Sequence, residues 1–375
     1  MEQEVHAMNK TTQPTLASIF EEMEKFGHEQ VIFNYDKATG LKSIIAIHDT
    51  TLGPALGGCR MWKYSSEQDA IADALRLSRG MTYKCAVSGE TYGGGKAVIW
   101  ADPHQDKSDE LFEAFGTFVE TLKGRFYTGT DVGTVGMDFV SAHKQTEYLV
   151  GLPEEYGGSG NSAIITAYGV MRGMKATTKE AFGDESLADK TVAVQGLGKV
   201  GKLLVQYLLE EGARVIATDI YQDNMDTVKA QFPAVEMVTP EEIYGVPCDI
   251  FSPNALGAGL NDTTIPQLQC RAICGAANNV LADKRHGKML YDRNILYAPD
   301  YVANGGGLIE VADELHGFNK DRAFKKADQI YDILLQIFQI SKTEKIPTSD
   351  AADRLVERKL ETIQRIQSKY IGKKR

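Results

Sequence analysis

Residues 191–204 read TVAVQGLGKVGKLL, and this stretch restricts the fold more than any other. The short apolar run 191–195 has the length and β-branched content of a buried strand. It leads into G-x-G-x-x-G at Gly196, Gly198 and Gly201, and residues 202–210 then follow a helical pattern. Each glycine has its own task in such a unit: the first permits a tight turn, the second lets a pyrophosphate approach the backbone, and the third lets helix and strand pack closely. The helix start offers unpaired N–H groups to the phosphates. β-like runs recur at 214–218, 249–252, 272–274 and 295–297 with helical or loop spacers, which predicts a doubly wound parallel sheet.

Asp219, in ATDIYQ, stands at the end of the next strand. A carboxylate there accepts both ribose hydroxyls of a dinucleotide and repels a 2′-phosphate, and no arginine follows closely, so NAD is favoured over NADP. The bland alternative is that Asp219 only caps the following helix. The expected cofactor contacts are Gly196, Gly198, Lys199, Val200, Gly201, Asp219 and Ala255. At 375 residues the chain exceeds the usual size of one core, which predicts two domains. A net charge of -10 argues against a nucleic-acid partner. The start, MEQEVHAMNKTTQPT, lacks the apolar core of a signal peptide, and no stretch reaches the length of a membrane span. Cys59, Cys85, Cys248, Cys270 and Cys274 form no C-x-x-C pair and the histidines are scattered, so the expectation is reduced thiols, no metal site and a cytoplasmic protein.

The first half carries strand-like runs at 30–34, 43–48 and 97–100 and helical patterns over 67–80 and 108–122. Glycine-rich connections at 53–58, Gly80, 93–95 and 129–136 are expected to be loops. One of them, ETYGGGKAVIW at 90–100, superficially suggests a phosphate loop. That reading fails, because Glu90 stands where the first glycine belongs, Ala97 where Ser or Thr belongs, and a strand follows in place of a helix. What remains is Lys96 on a bare backbone, where burial would lower its pKa towards that of a working base. Lys84 in GMTYKC and Asp131 in YTGTD complete a set suited to an amino acid: one cation for its carboxylate, one group near the reacting carbon, one proton acceptor. The glycine-rich stretch 151–161 reads as a hinge, with a helical stretch over 163–181 after it and amphipathic helices from 321 to 374.

The blocks GPALGGCRM (53–61), LRLSRGMTYKC (75–85), GGGKAVI (93–99), GRFYTGTDVGT (124–134), TAYGVMRGMKA (166–176), VAVQGLGKVG (192–201), AANN (276–279), YAPDY (297–301) and GGGLIEVADE (305–314) run nearly end to end. Through them the chain closely resembles the glutamate/leucine/phenylalanine/valine dehydrogenase family. The resemblance implies an α/β fold of two domains separated by a cleft: a substrate-binding and oligomerisation domain (1–150 plus about 347–375) and a Rossmann-type NAD-binding domain (151–346). It implies a homo-oligomer, often an octamer, acting on an amino acid, its 2-oxo acid and ammonia, with no membrane or nucleic-acid partner. By the same resemblance Lys96 is the catalytic lysine, Lys84 holds the substrate carboxylate, and Asp131 is the catalytic aspartate. Thr166 is similar to the residue near the nicotinamide amide, Asn278 to one meeting nicotinamide ribose and substrate, and Gly57 to the one presenting backbone to substrate.

Within the family, Gly129 in GRFYTGTD and Leu308 in GGGLIEVADE resemble phenylalanine enzymes, where leucine enzymes tend to carry alanine and valine. Gly129 removes a methyl group from the pocket wall, and Val150 keeps the far end apolar, which disfavours a tyrosine hydroxyl. L-Phenylalanine is the expected substrate. Leucine is the rival, because 173–183 (GMKATTKEAFG) reads as leucine-type, and Gly305, beside the presumed pocket, is a reason to keep tryptophan in view. A silent NAD or amino-acid sensor on the same fold is the alternative of a different class. Ser88–Tyr92, Asn254, Ile165 and Glu310 also depart from the family pattern.

Overall fold

A computed structural model describes residues 18–255 and 257–367. The polar start 1–17 and the last part, 368–374, of the stretch expected to be helical lie outside the described residues. By internal contacts the chain divides into two compact units, one of 1–50, 54–82 and 93–149, the other of 51–53, 83–92 and 150–375.

The first unit is built on a mixed sheet. Its strands are β1 (Gln30–Tyr35), β2 (Lys42–Asp49), β3 (Ala55–Leu56), β4 (Cys59–Trp62), β5 (Gly93–Trp100) and β6 (Phe126–Tyr127). The order is β1-β2-β5-β3-β6, with β4 continuing along β5 beyond β3. β1, β2 and β5 are antiparallel, while β3 and β4 run parallel to β5. Successive residues of β2 face opposite ways. Ile44 and Ala46, with Val98 of β5, pack on Ala70, Ile71, Ala74 and Leu75 of the helix Glu67–Val87, while Ile45 and Ile47 are fully buried on the other face. The helix Asp109–Thr121 is capped by Ser108, whose side chain accepts the Leu111 N–H.

Two of the loops expected from glycine are not loops. Gly80 lies inside the helix Glu67–Val87, and Gly93, Gly94 and Gly95 begin β5. The glycines serve close packing. A Cβ on Gly94 would stand 2.1 Å from Thr82 N and 2.5 Å from Ser78 O, so the bare backbone is what seats this helix on the strand. A Cβ on Gly95 would meet the Phe126 ring at 2.7 Å. His48 is buried beside the same helix, its ring nitrogens against Thr82 Oγ1 and Phe26 O at 2.8 Å each, and burial lowers its pKa to about 4.

The second unit holds the expected parallel sheet: β7 (Thr191–Gln195), β8 (Arg214–Thr218), β9 (Glu236–Met237), β10 (Ile250–Pro253), β11 (Ala272–Ile273) and β12 (Leu296–Tyr297), in the order β12-β11-β10-β7-β8-β9. Its two faces bury separate cores. Val192, Val194, Val215, Ala217, Ile250 and Ala272 join one apolar cluster, and their neighbours Ala193, Ile216, Phe251 and Ile273 join another. Burial on both faces is what a strand between helical layers requires. The larger cluster takes in the helices Ala163–Phe182, Lys199–Glu210, Lys320–Glu344 and Thr348–Gln367. The helix after the fingerprint begins at Lys199, earlier than residue 202, so Lys199, Val200 and Gly201 form its first turn.

The contact division differs from the expected domain bounds at 51–53, at 83–92, at residue 150 and from about 347 onward, and the packing accounts for two of these. The helix Thr348–Gln367 falls in the second unit, because Ala351, Ala352 and Val356 are buried in its larger cluster. Residues 83–92 join it too, through Tyr83, Ala86 and Val87 in that cluster and Glu90, buried and paired with Lys326 at 2.9 Å.

Gly94→Ala should destabilise the protein by about 3 kcal/mol, because the methyl meets helix backbone that no side-chain rotation can move. Thermal unfolding measures this; an unchanged melting temperature would mean that the helix is not seated on Gly94.

Candidate active site

The break between β3 and β4 assembles the first unit's polar centre. Gly57 and Gly58 occupy it; a Cβ on Gly57 would lie 1.8 Å from Gly95 O, and one on Gly58 would lie 2.5 Å from Thr130 O. On one side Ala97 N–H donates to Gly58 O at 3.2 Å, and on the other Cys59 N–H donates to Gly129 O at 2.7 Å. Lys96 and Asp131, 35 positions apart by their numbers, thereby face each other across a glycine. Lys96 Nζ is 3.1 Å from Asp131 Oδ2, and Lys96 is only 5% exposed.

The electrostatics follow from that burial. Desolvation holds the Lys96 ammonium below the ordinary lysine value; Asp131 opposes this and Arg60 reinforces it. Burial by itself would raise the Asp131 carboxyl, but Lys96 and Arg60 outweigh it and leave the group below the usual carboxylate range. The Thr134 hydroxyl accepts the Asp131 N–H at 2.9 Å and lies 3.0 Å from Cys59 O, which fixes the backbone beneath the carboxylate. Such a pair can exchange protons with a bound group and with water.

Of the other expected substrate residues, Gly129 is buried beside this centre in the same unit. Lys84, Val150, Asn278 and Leu308 belong to the second unit. Lys84 sits in the last turn of the helix Glu67–Val87. It counteracts the burial that pushes the Asp300 carboxyl up. Val150 and Leu308 are buried, 4% and 6% exposed. Asn278 is exposed, and its Oδ1 accepts from Asn304 Nδ2 at 2.7 Å. Asn304, which sequence reasoning passed over, also donates to Ala276 O at 3.1 Å and so orients the AANN turn. Its signal was its position directly before GGGLIEVADE. A Cβ at Gly305 would meet Ser88 Oγ at 2.9 Å and Val302 O at 3.1 Å, so the glycine lets these groups lie close.

The second unit has the features a dinucleotide needs. Gly196 has φ +97°, and a Cβ on it would lie 2.8 Å from Ala255 N, which places the turn after β7 against the turn after β10. These strands are where the order reverses, the usual location of a dinucleotide crevice. A Cβ on Gly201 would lie 2.0 Å from Gly196 O, whereas one on Gly198 meets nothing within 4 Å, so the middle glycine faces open space. Asp219 is held by two backbone donors: Oδ1 accepts the Tyr221 N–H at 2.9 Å ahead of the next helix, and Oδ2 accepts the Leu197 N–H at 2.6 Å in the fingerprint turn. Each oxygen keeps acceptor capacity for a ribose hydroxyl. Asn254 Oδ1 accepts Ala276 N–H at 2.9 Å, which gives this departure a structural use. A pocket of about 360 Å³ adjoins the fingerprint, lined by Thr166, Lys199, Val200 and residues 160–163. The residues present therefore fit a bound nicotinamide dinucleotide.

No helix among the described residues is long and apolar enough to cross a membrane. Residues 28–151 match the family described as Glu/Leu/Phe/Val dehydrogenase, dimerisation domain, and residues 157–220 and 218–352 match Glutamate/Leucine/Phenylalanine/Valine dehydrogenase. The chain is 52% identical to a leucine dehydrogenase of Thermoactinomyces intermedius, over 95% of this chain and 97% of that one. It is 53% identical to a phenylalanine dehydrogenase of Caldalkalibacillus thermarum, over 91% and 93%. The crystal structure of L-tryptophan dehydrogenase from Nostoc punctiforme superposes with a TM-score of 0.84 at 46% identity, covering 92% of this chain and 99% of that one. With the fold, the matched domains and the relatives in agreement, the chain belongs to the glutamate/leucine/phenylalanine/valine dehydrogenase family and is an amino acid dehydrogenase that uses a nicotinamide dinucleotide.

Proposed function

We propose that this protein is an NAD-dependent L-phenylalanine dehydrogenase, converting L-phenylalanine and water to phenylpyruvate and ammonia, and the reverse. The observation that carries the reaction is the buried Lys96–Asp131 contact at 3.1 Å, an acid–base pair with both pKa values lowered. Lys84 binds the substrate carboxylate as a point charge. Asp131 takes a proton from the substrate ammonium, because only the neutral amine can form a C=N bond as the Cα–H bond breaks. NAD, when bound, supplies the acceptor for that hydride. Neutral Lys96 then takes a proton from the water that attacks the iminium carbon, Asp131 returns its proton to nitrogen, and as the C–N bond breaks the hydroxyl proton passes to the departing ammonia, leaving a carbonyl and ammonium. Thr166 and Asn278 orient the nicotinamide end, and Asp219 selects NAD over NADP through the ribose hydroxyls.

Three residues support a ring as the substrate side chain. Gly129 offers a wall without a methyl group, and Leu308 and Val150 are buried apolar contacts. The leucine reading has its own support, since leucine dehydrogenases are about as similar as phenylalanine ones. Assembly as a homo-oligomer is part of the proposal. It is supported by the dimerisation domain in the matched description and by Phe33 and Tyr35 exposed on the edge strand β1.

NADH formation from a panel of L-amino acids at alkaline pH should give the highest kcat/KM with phenylalanine. A preference for leucine or valine would replace the substrate, and absence of turnover with every member would replace the reaction. Lys96→Ala should lose at least about 100-fold in kcat, with NAD affinity unchanged by titration; near-normal turnover would remove Lys96 from its role. Wild-type protein should bind NAD more tightly than NADP, and the opposite order would sink the reading of Asp219.

A further inference from the structure

Arg60 lies on β4 beside Val98 of β5. Its Nε donates to Asp131 Oδ2 at 2.8 Å, the oxygen that also faces Lys96 Nζ. Its Nη1 donates to Asp73 Oδ2 at 2.8 Å, on the helix Glu67–Val87. Asp73 is itself held, by the Tyr64 hydroxyl at 2.8 Å on Oδ2 and by Arg76 Nη2 at 2.7 Å on Oδ1. Lys96, Asp131, Arg60 and Asp73 thus form an alternating row of charges whose far end is tied to a helix. A planar guanidinium can serve two carboxylates in one fixed orientation, and an ammonium cannot do so with the same geometry.

We propose that Arg60 is a positioning residue for the reaction: bridged between Asp131 and Asp73, it aims the Asp131 carboxylate at Lys96 and sets the pH range in which the pair exchanges protons. This rests on the reading of Lys96 and Asp131 as the acid–base pair. Two cations meet one oxygen of Asp131, which keeps the carboxylate ionised at rest and stops it from folding wholly onto the lysine. The guanidinium also disfavours a proton on Lys96. The charged and titratable groups facing this centre include Lys96 from β5, Arg60 and Cys59 from β4, Tyr64 following β4, Asp73 and Arg76 from the helix Glu67–Val87, and Asp138, which acts on Cys59.

The signs follow. Without the guanidinium, Asp131 loses an attracting cation and Lys96 a repelling one, so both pKa values rise. The limb of kcat/KM that reports deprotonation of the pair then moves to higher pH. Without the Asp73 charge, the Arg60 charge is no longer offset, both pKa values fall, and the limb moves to lower pH. A purely structural role shifts neither.

The test is the pH profile of NADH formation by full-length wild-type, Arg60→Met, Arg60→Lys and Asp73→Asn proteins, each with the amino acid the wild type turns over fastest. Arg60→Met should lose about tenfold or more in kcat with its limb raised by about one pH unit, while NAD affinity, measured by titration, stays at the wild-type value. Arg60→Lys should return the limb towards wild type without restoring kcat, because it keeps the charge and loses the bridge. Asp73→Asn should shift the limb downward. Limbs unmoved in an active set of variants would overturn the proposal. Should Arg60→Met fail to fold, Asp73→Asn decides alone: a downward shift supports the role and an unmoved limb overturns it. A wild type inactive on every amino acid would overturn the reading of the pair and this inference with it, whereas an active wild type with unshifted variants sinks only the inference.

Discussion

A lysine ammonium enclosed within a sheet costs several kcal/mol unless an opposite charge meets it, and in the first unit that charge is Asp131. Much of the local architecture makes this one contact possible. Asp131 reaches Lys96 only because the strand between them is interrupted at Gly57 and Gly58, where neighbouring backbones come closer than any side chain would allow. The Thr134 turn then holds Asp131 in place from below, and Arg60 holds it from the side. The pair is thus stabilised by partial neutralisation and kept from full quenching by a second cation.

The second unit solves a different problem with the same economy of side chains. Alternate residues of β7, β8, β10 and β11 feed two separate apolar cores, so the sheet is covered on both faces and its strand ends remain for binding. Gly196 and Gly201 bring turn and helix together, and Gly198 keeps the middle of the turn open. Asp219 ties the fingerprint turn to the end of β8 by accepting the Leu197 N–H. The scaffold is shared with relatives named for leucine, phenylalanine and tryptophan, at 52%, 53% and 46% identity respectively. Relatives with different substrates share this scaffold at similar identity, and one methylene in an apolar pocket alters discrimination by about 10-fold to 200-fold.

Legibility in the sequence tracked how local each feature is. The strand–turn–helix around Gly196 was legible because its residues are consecutive and its glycines have separate geometric roles. In the first half β1, β2 and the apolar end of β5 were legible from apolar runs, while the short strands β3, β4 and β6 were not. The glycines at Gly80 and 93–95 were misread as loops, because a buried glycine that admits a neighbouring helix looks the same in one dimension as a glycine in a turn. Arg60 and Asn304 were missed because each acts through a partner distant in sequence, and nothing in GPALGGCRM points to Asp73.

By itself the sequence determined the fold class, the dinucleotide fingerprint and the family, and it singled out Lys96 and Asp131 as candidates. These follow from short-range spacing and from long motifs. Only the tertiary structure decided that Lys96 is buried, that Asp131 is its partner, that Arg60 bridges Asp131 to Asp73, and that the helix Thr348–Gln367 packs in the second unit's core. The physical reason is that burial and charge pairing are properties of neighbours in space. A lysine's basicity depends on which charges the folded chain brings within a few ångströms, and the linear order of residues does not state that distance.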